Sequence, residues 1–119
     1  MPYNDKALTG RQGEDVAVGW LRDNGYLLHD RNWRCGRYEL DIVAERLGMI
    51  HIVEVKTRRA GSMLTPEQTI TPAKESALRR AAAAYLAQHR LVGEVEFDLI
   101  AVDHFPDGGC DVRFIPNIL

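Results

Sequence analysis

The residues of this chain best suited to chemistry are carboxylates: Glu14, Asp41 and Glu54, with Lys56 two positions beyond the last. Asp41 and Glu54 fall on either side of Leu47 and Gly48, in two segments with strand character. If Leu47 and Gly48 form a two-residue turn, Arg46 faces Met49, and the register carries Asp41 opposite Glu54 and Glu39 opposite Lys56. Side chains alternate along a strand, so all four leave the same side of the sheet. Directly opposed Cβ atoms lie roughly 4.5 to 5.5 Å apart, and two like charges at about 4 Å repel by roughly 1 to 4 kcal/mol. Something has to offset that repulsion. A divalent cation is the simplest agent, because Mg²⁺ is typically held by carboxylates together with waters and phosphate oxygens. The alternative is an ordinary cross-strand ion pair of Glu39 with Lys56, with Asp41 bonding locally. A one-residue slip, which leucine in a left-handed turn position invites, separates Asp41 from Glu54. Glu14 weighs toward a site: on a 3.6-residue period it shares a face with Ala17, Val18 and Leu21 and so points inward, which stabilisation of a helix end does not require.

The elements that must position these groups follow from pattern. A first helix is expected after Thr9 and Gly10, ending at Asn24 and Gly25. Strands are expected over residues 26–30, 39–45 and 49–55, the last apolar on both faces as a central strand is. Residues 57–69, with Gly61, Ser62 and Pro66, read as a mobile loop. Thr71 and Pro72 make a strong helix start. That helix runs to about His89, with Ala77, Leu78, Ala81 and Tyr85 inward and Lys74 one turn earlier on the same side. Strands at 95–103 and 110–115 flank a turn at 106–109. The order is α-β-β-β-α-β-β in a single domain over residues 1–119.

With 119 residues the chain can bury a core without staples, and two cysteines, Cys35 and Cys110, are too few for a disulfide framework or a zinc ribbon. A reducing cytoplasm is the natural setting. No apolar run reaches the roughly 18 residues of a membrane span, and the start MPYNDKALTG lacks a signal-peptide pattern, so no membrane association is expected. The net charge of −2 speaks against bulk electrostatic binding of nucleic acid. Its distribution differs: between residues 31 and 59, Arg31, Arg34, Arg37, Arg46, Lys56, Arg58 and Arg59 outnumber four acids. These arginines are either a solvated surface or a basic rim for phosphates. Trp33, set among Arg31, Arg34 and Arg37, is the aromatic placed to stack on a base, whereas Trp20 reads as packing. The four histidines show no mutual spacing that makes a ligand pair. Cys35 lacks a base and an orienting group, and reads as a spectator thiol.

These residues carry a resemblance. Asp41, then Glu54-Val55-Lys56 after a hairpin, preceded by Glu14 on a helix, resembles the D...(D/E)-x-K arrangement of restriction-endonuclease-like nucleases, and in layout the archaeal Holliday junction resolvases. The ordered blocks GRQGEDVAVGWLRDNGY, RNWR, ELDIVA, HIVEVKTR, T-I-T-P-A-K and FDLIAV are similar to those of the YraN family of small uncharacterised bacterial proteins, across roughly residues 10–102. The resemblance implies an α/β fold with a restriction-endonuclease-like core, a mixed central sheet flanked by helices. It implies a nuclease-like site of Glu14, Asp41, Glu54 and Lys56, with Lys74 and Asp98 accessory. The implied activity is Mg²⁺- or Mn²⁺-dependent hydrolysis of DNA, branched DNA included. Asp41, Glu54 and Glu14 would hold the metal, and Lys56 would orient water or neutralise developing charge. Arg31, Trp33, Arg34, Arg37, Arg58, Arg59 and Lys74 would meet nucleic acid. Tyr38 departs from the family, which usually has glycine before the first acid of the E-x-D block. The alternative is a nucleic-acid-binding or protein-interaction module that keeps the fold without the chemistry. A homodimer is compatible with either.

Overall fold

The computed structural model describes the backbone over residues 5–119 and side chains from residue 12 onward. The opening MPYN, on which the expectation of no leader partly rests, lies outside the described residues. Helix α1 spans Asp5–Asp23 and is followed by strands β1 (Leu27–Cys35), β2 (Tyr38–Arg46) and β3 (Met49–Arg59). A 3-10 turn at Pro66–Thr69, helix α2 (Pro72–Gln88), and strands β4 (Val95–His104) and β5 (Cys110–Ile115) complete the α-β-β-β-α-β-β order. The five strands form one mixed sheet in sequence order, parallel only between β3 and β4, whose connection runs through α2. No helix among the described residues is long and apolar enough to cross a membrane.

Each face of the sheet has its own helix. Ala17, Val18 and Leu21 of α1 pack with Ile42, Ala44, Val53, Ile100 and Val102. Leu78, Ala81, Ala82 and Tyr85 of α2 pack with Trp33, Val43, Ile50 and Ile52. The T-P start of α2 is as the sequence predicts: Thr71 Oγ1 accepts the Lys74 N–H at 3.1 Å and Pro72 opens the first turn. Helix α1 begins before Thr9 and Gly10, since one glycine inside a helix costs only about 1 kcal/mol and does not by itself set a boundary. At Gly13 the missing side chain matters, because a Cβ there would stand 1.8 Å from Thr57 Oγ1. Helix α1 therefore rests its backbone directly on β3, one residue before Glu14.

Two strands outrun the sequence pattern. β1 reaches Cys35, so R-N-W-R is strand rather than loop. β3 continues to Arg59 because the parallel ladder supplies partners as far as Arg59 opposite His104. The expected loop at 57–69 thus begins later and contains the 3-10 turn, capped reciprocally by Thr65 and Gln68. The β2–β3 turn is the two-residue one, with Arg46 opposite Met49 and Ile42 opposite Val53. Leu47 accepts the left-handed conformation this requires (φ 52°) beside Gly48 (φ 81°), and its side chain remains 92% exposed.

Candidate active site

The sheet is interrupted where the acids sit. In a hairpin with this turn, regular pairing would give the Val55 N–H to the Leu40 carbonyl. The β2–β3 ladder instead ends at Ile42 and Val53, and Asp41 Oδ2 accepts the Val55 N–H at 2.9 Å. On the other side, β1–β2 pairing passes from Arg31 opposite Ile42 to Trp33 opposite Leu40, skipping Asn32 (φ 54°) and Asp41. Asp41 thus occupies a gap in both ladders, where a backbone amide is free to hold a carboxylate. By alternation from Val43 and Ile52, Asp41 and Glu54 share the face covered by α2. Their carboxyls are near enough for the charge of one to raise the pKa of the other.

The electrostatics follow from that crowding. Burial, then the charge of Asp41, pushes Glu54 up to about 7. Burial also raises Asp41, opposed by the Val55 N–H and by Lys74, and assisted by the charges of Glu14 and Glu39. Lys74, in the first turn of α2, places Nζ 2.9 Å from Glu54 Oε1. Burial alone would lower its pKa, but the hydrogen bond to Glu54 and the charges of Glu54, Asp41 and Glu39 hold it above its ordinary value. Asp41, Glu54 and Lys74 are therefore one charged cluster, with two acids and one base.

The remaining predicted residues are distributed around it. Lys56 is exposed, on the Glu54 face by alternation. Its expected cross-strand partner Glu39 pairs instead with Arg34 at 3.4 Å. Glu14 lies on α1, across the sheet, where Asn32 Nδ2 donates to it at 2.8 Å and Arg31 Nε stands at 3.6 Å. Its charge acts on Asp41 through space. Among the described residues, the one group of three whose ligand atoms lie at metal-binding spacing is His51, Glu96 and Asp98. Asp98, an implied accessory position, belongs to that separate group on the α1 face, with His51 Nδ1 2.6 Å from its Oδ2 and the Asn117 N–H donating to Oδ1 at 3.1 Å. Burial pushes Asp98 up to about 6. The histidine spacing rule missed this group because parallel strand register, not sequence spacing, brings His51 beside Glu96.

The basic rim is corrected in part. Trp33 does not present its ring to a base: it is 9% exposed, sits edge-on to Tyr85 at 5.2 Å, and donates Nε1–H to Gln88 at 3.0 Å. A flank of arginines disguised a strand residue of the core. Arg31 is bound to Asp15 and Glu14. Arg58, its side chain 15% exposed, donates Nε–H to Asp103 at 2.8 Å and also meets the Leu64 carbonyl, so it ties the end of β3 to the following loop rather than lining a rim. Arg59 is exposed at the strand end. Arg37 lines a cleft beside Lys74, together with Arg80, which the sequence reading missed although Lys74, Ala77 and Arg80 recur at three-residue spacing along α2.

Residues 13–102 match the uncharacterised protein family UPF0102. Similar curated proteins carrying that description include one from Porphyromonas gingivalis, 40% identical over 108 residues (91% of this chain, 78% of that protein). Another, from Syntrophotalea carbinolica, is 45% identical over 122 residues (94% and 98%). A third, from Bacteroides thetaiotaomicron, is 43% identical over 93 residues (78% and 77%).

Proposed function

We propose that this chain, which belongs to the uncharacterised protein family UPF0102, is a cytoplasmic, divalent-metal-dependent endonuclease that hydrolyses DNA phosphodiesters, branched DNA among its substrates. The observation that carries the reading is the Asp41–Glu54 pair: two half-buried carboxyls on one sheet face, both raised in pKa, with a single lysine against them. Hard oxygen donors at a shared position suit Mg²⁺ or Mn²⁺. Asp41 and Glu54 would hold that ion, which when bound supplies polarisation of a phosphate oxygen and a more acidic water.

The chain's own residues do the rest. Asp41 is oriented by the Val55 N–H, which Oδ2 accepts at 2.9 Å. Lys74 shares Glu54 and is free to transfer its charge to a phosphate once the carboxylate is otherwise neutralised. Lys56, exposed on the same face, orients an attacking water or stabilises charge on the phosphorane. Glu14 contributes field rather than a ligand.

The Lys74–Glu54 ion pair also favours a second reading, a nucleic-acid-binding module in which the lysine permanently neutralises the acids. One experiment separates the two. Wild type and Asp41→Asn are incubated with Mg²⁺ or Mn²⁺ on duplex, single-stranded, flap and four-way-junction DNA, beside calorimetric titration with each metal. Metal-dependent cleavage lost in Asp41→Asn supports the enzyme. Salt-dependent DNA binding without metal uptake or cleavage establishes the module.

A further inference from the structure

We infer that the cleft between the β1–β2 turn and the N-terminal half of α2 is a subsite for one nucleotide of a single DNA strand leaving the acidic pair, with Arg37 and Arg80 on its phosphate and Tyr38 against its base. This rests on the proposed function and gives the strand a path. The cleft, of about 190 Å³, is partly open and smaller than a whole nucleotide, so it can seat a phosphate with part of its sugar or base and not the face of a duplex. It shares Lys74 and Glu39 with the surroundings of Asp41, so whatever fills it lies next to the acids. Arg37 and Arg80 come from different elements yet line one space, and among the described residues neither has a carboxylate partner. Arg31, Arg34, Arg58 and Arg79, by contrast, are all in ion pairs. Two guanidinium groups left without an internal anion beside a lysine form a phosphate subsite, for which planar forked donors are suited. Glu39, already engaged by Arg34, leaves the cleft with a surplus of positive charge.

Tyr38 supplies what Trp33 does not. It is half-buried, packs against the α2-side core, and forms part of the cleft wall. An aromatic side chain anchored on one side and open on the other is a platform on which a base stacks without sequence preference.

The test is fluorescence anisotropy of a labelled single-stranded DNA oligonucleotide in chelator, across a salt series. Relative to wild type, Arg37→Ala/Arg80→Ala should weaken binding at least tenfold and reduce the slope of log affinity against log salt by about 1.4, since each phosphate contact on a single strand contributes about 0.7. Arg22→Ala/Arg113→Ala, on α1 and β5, should change neither. Tyr38→Leu should weaken DNA binding roughly tenfold while Tyr38→Phe preserves it, and inorganic polyphosphate, which has no bases, should bind both variants as it binds wild type. Equal losses in the two arginine pairs would mean bulk charge and overturn the subsite, as would wild-type affinity in Arg37→Ala/Arg80→Ala or absence of binding by wild type. If Asp41-dependent cleavage persists while these variants bind normally, the subsite alone fails. If binding falls as expected and no DNA is cleaved with metal, the hydrolase fails and the subsite stands.

Discussion

Neutralising Asp41 should make the metal-free protein more stable above neutral pH, and the difference from wild type should move in favour of the variant as pH rises. The sign follows from Glu54. Its pKa rises from 4.5 to about 7 on folding, so between those values the folded state binds more protons than the unfolded chain, and stability falls as pH rises. A rise of that size corresponds to roughly 3 kcal/mol lost by about pH 8, at about 1.4 kcal/mol per unit, for a side chain only 15% exposed. Part of this is burial and part is the Asp41 charge, which at about 4 Å contributes roughly 1 to 4 kcal/mol. Asp41→Asn removes the second part. Its amide oxygen can still accept the Val55 N–H, with the charge assistance lost, at a cost of about 1 kcal/mol. The variant should therefore fall below wild type by about 1 kcal/mol near pH 5, where Glu54 of the wild type is largely protonated and there is little repulsion to relieve. At pH 8 it should exceed wild type by about 1 kcal/mol. Urea melts in chelator at intervals from pH 5 to 8 measure this. A variant less stable by a kilocalorie at every pH would show that Asp41 serves to close the gap in the ladder, and would sink the argument that the acids are crowded against the interest of the fold.

Other substitutions probe the supports. Gly13→Ala drives a Cβ into Thr57 Oγ1 at 1.8 Å, and calorimetry should record a drop in Tm of at least about 5 °C; an unchanged Tm would mean α1 does not rest on β3. Leu47→Asn relieves a left-handed leucine at a 92% exposed position and should add about 0.5 to 1 kcal/mol in denaturant melts, with a loss indicating a different turn. Asp98→Ala strands His51 and the Asn117 N–H and should cost about 2 kcal/mol or more, whereas Asp98→Asn, which keeps an acceptor, should cost less; equal losses would argue against the hydrogen-bonded network.

The site was legible where it depended on local rules. A two-residue turn at Leu47 and Gly48 fixes the register, and period two then puts Asp41 and Glu54 on one face. The T-P signature likewise fixes the start of α2 and hence the root of Lys74. What escaped was set by contacts distant in sequence. The length of β3 is decided by β4, which supplies partners to residues that look like loop, and it is this extension that removes Arg58 from the rim. Trp33 lies in a segment whose composition signals surface, and only the docking of α2 makes it core. Glu14 points inward as periodicity says, but inward from α1 is the opposite face of the sheet from Glu54, and no helical wheel distinguishes two faces.

The contrast between the two ladders of β3 has a kinetic side. Its pairing with β2 closes over a two-residue turn, while its pairing with β4, which sets Ile50 beside Val95, must wait for the whole α2 crossover. Short closures form first because they restrict less chain. Asp41 and Glu54 therefore meet in the hairpin before helix α2 delivers Lys74, and their repulsion falls on the folding barrier as well as on the finished structure. Refolding in chelator should accordingly be faster for Asp41→Asn than for wild type at neutral pH, since one of the two charges that meet in the hairpin is then absent.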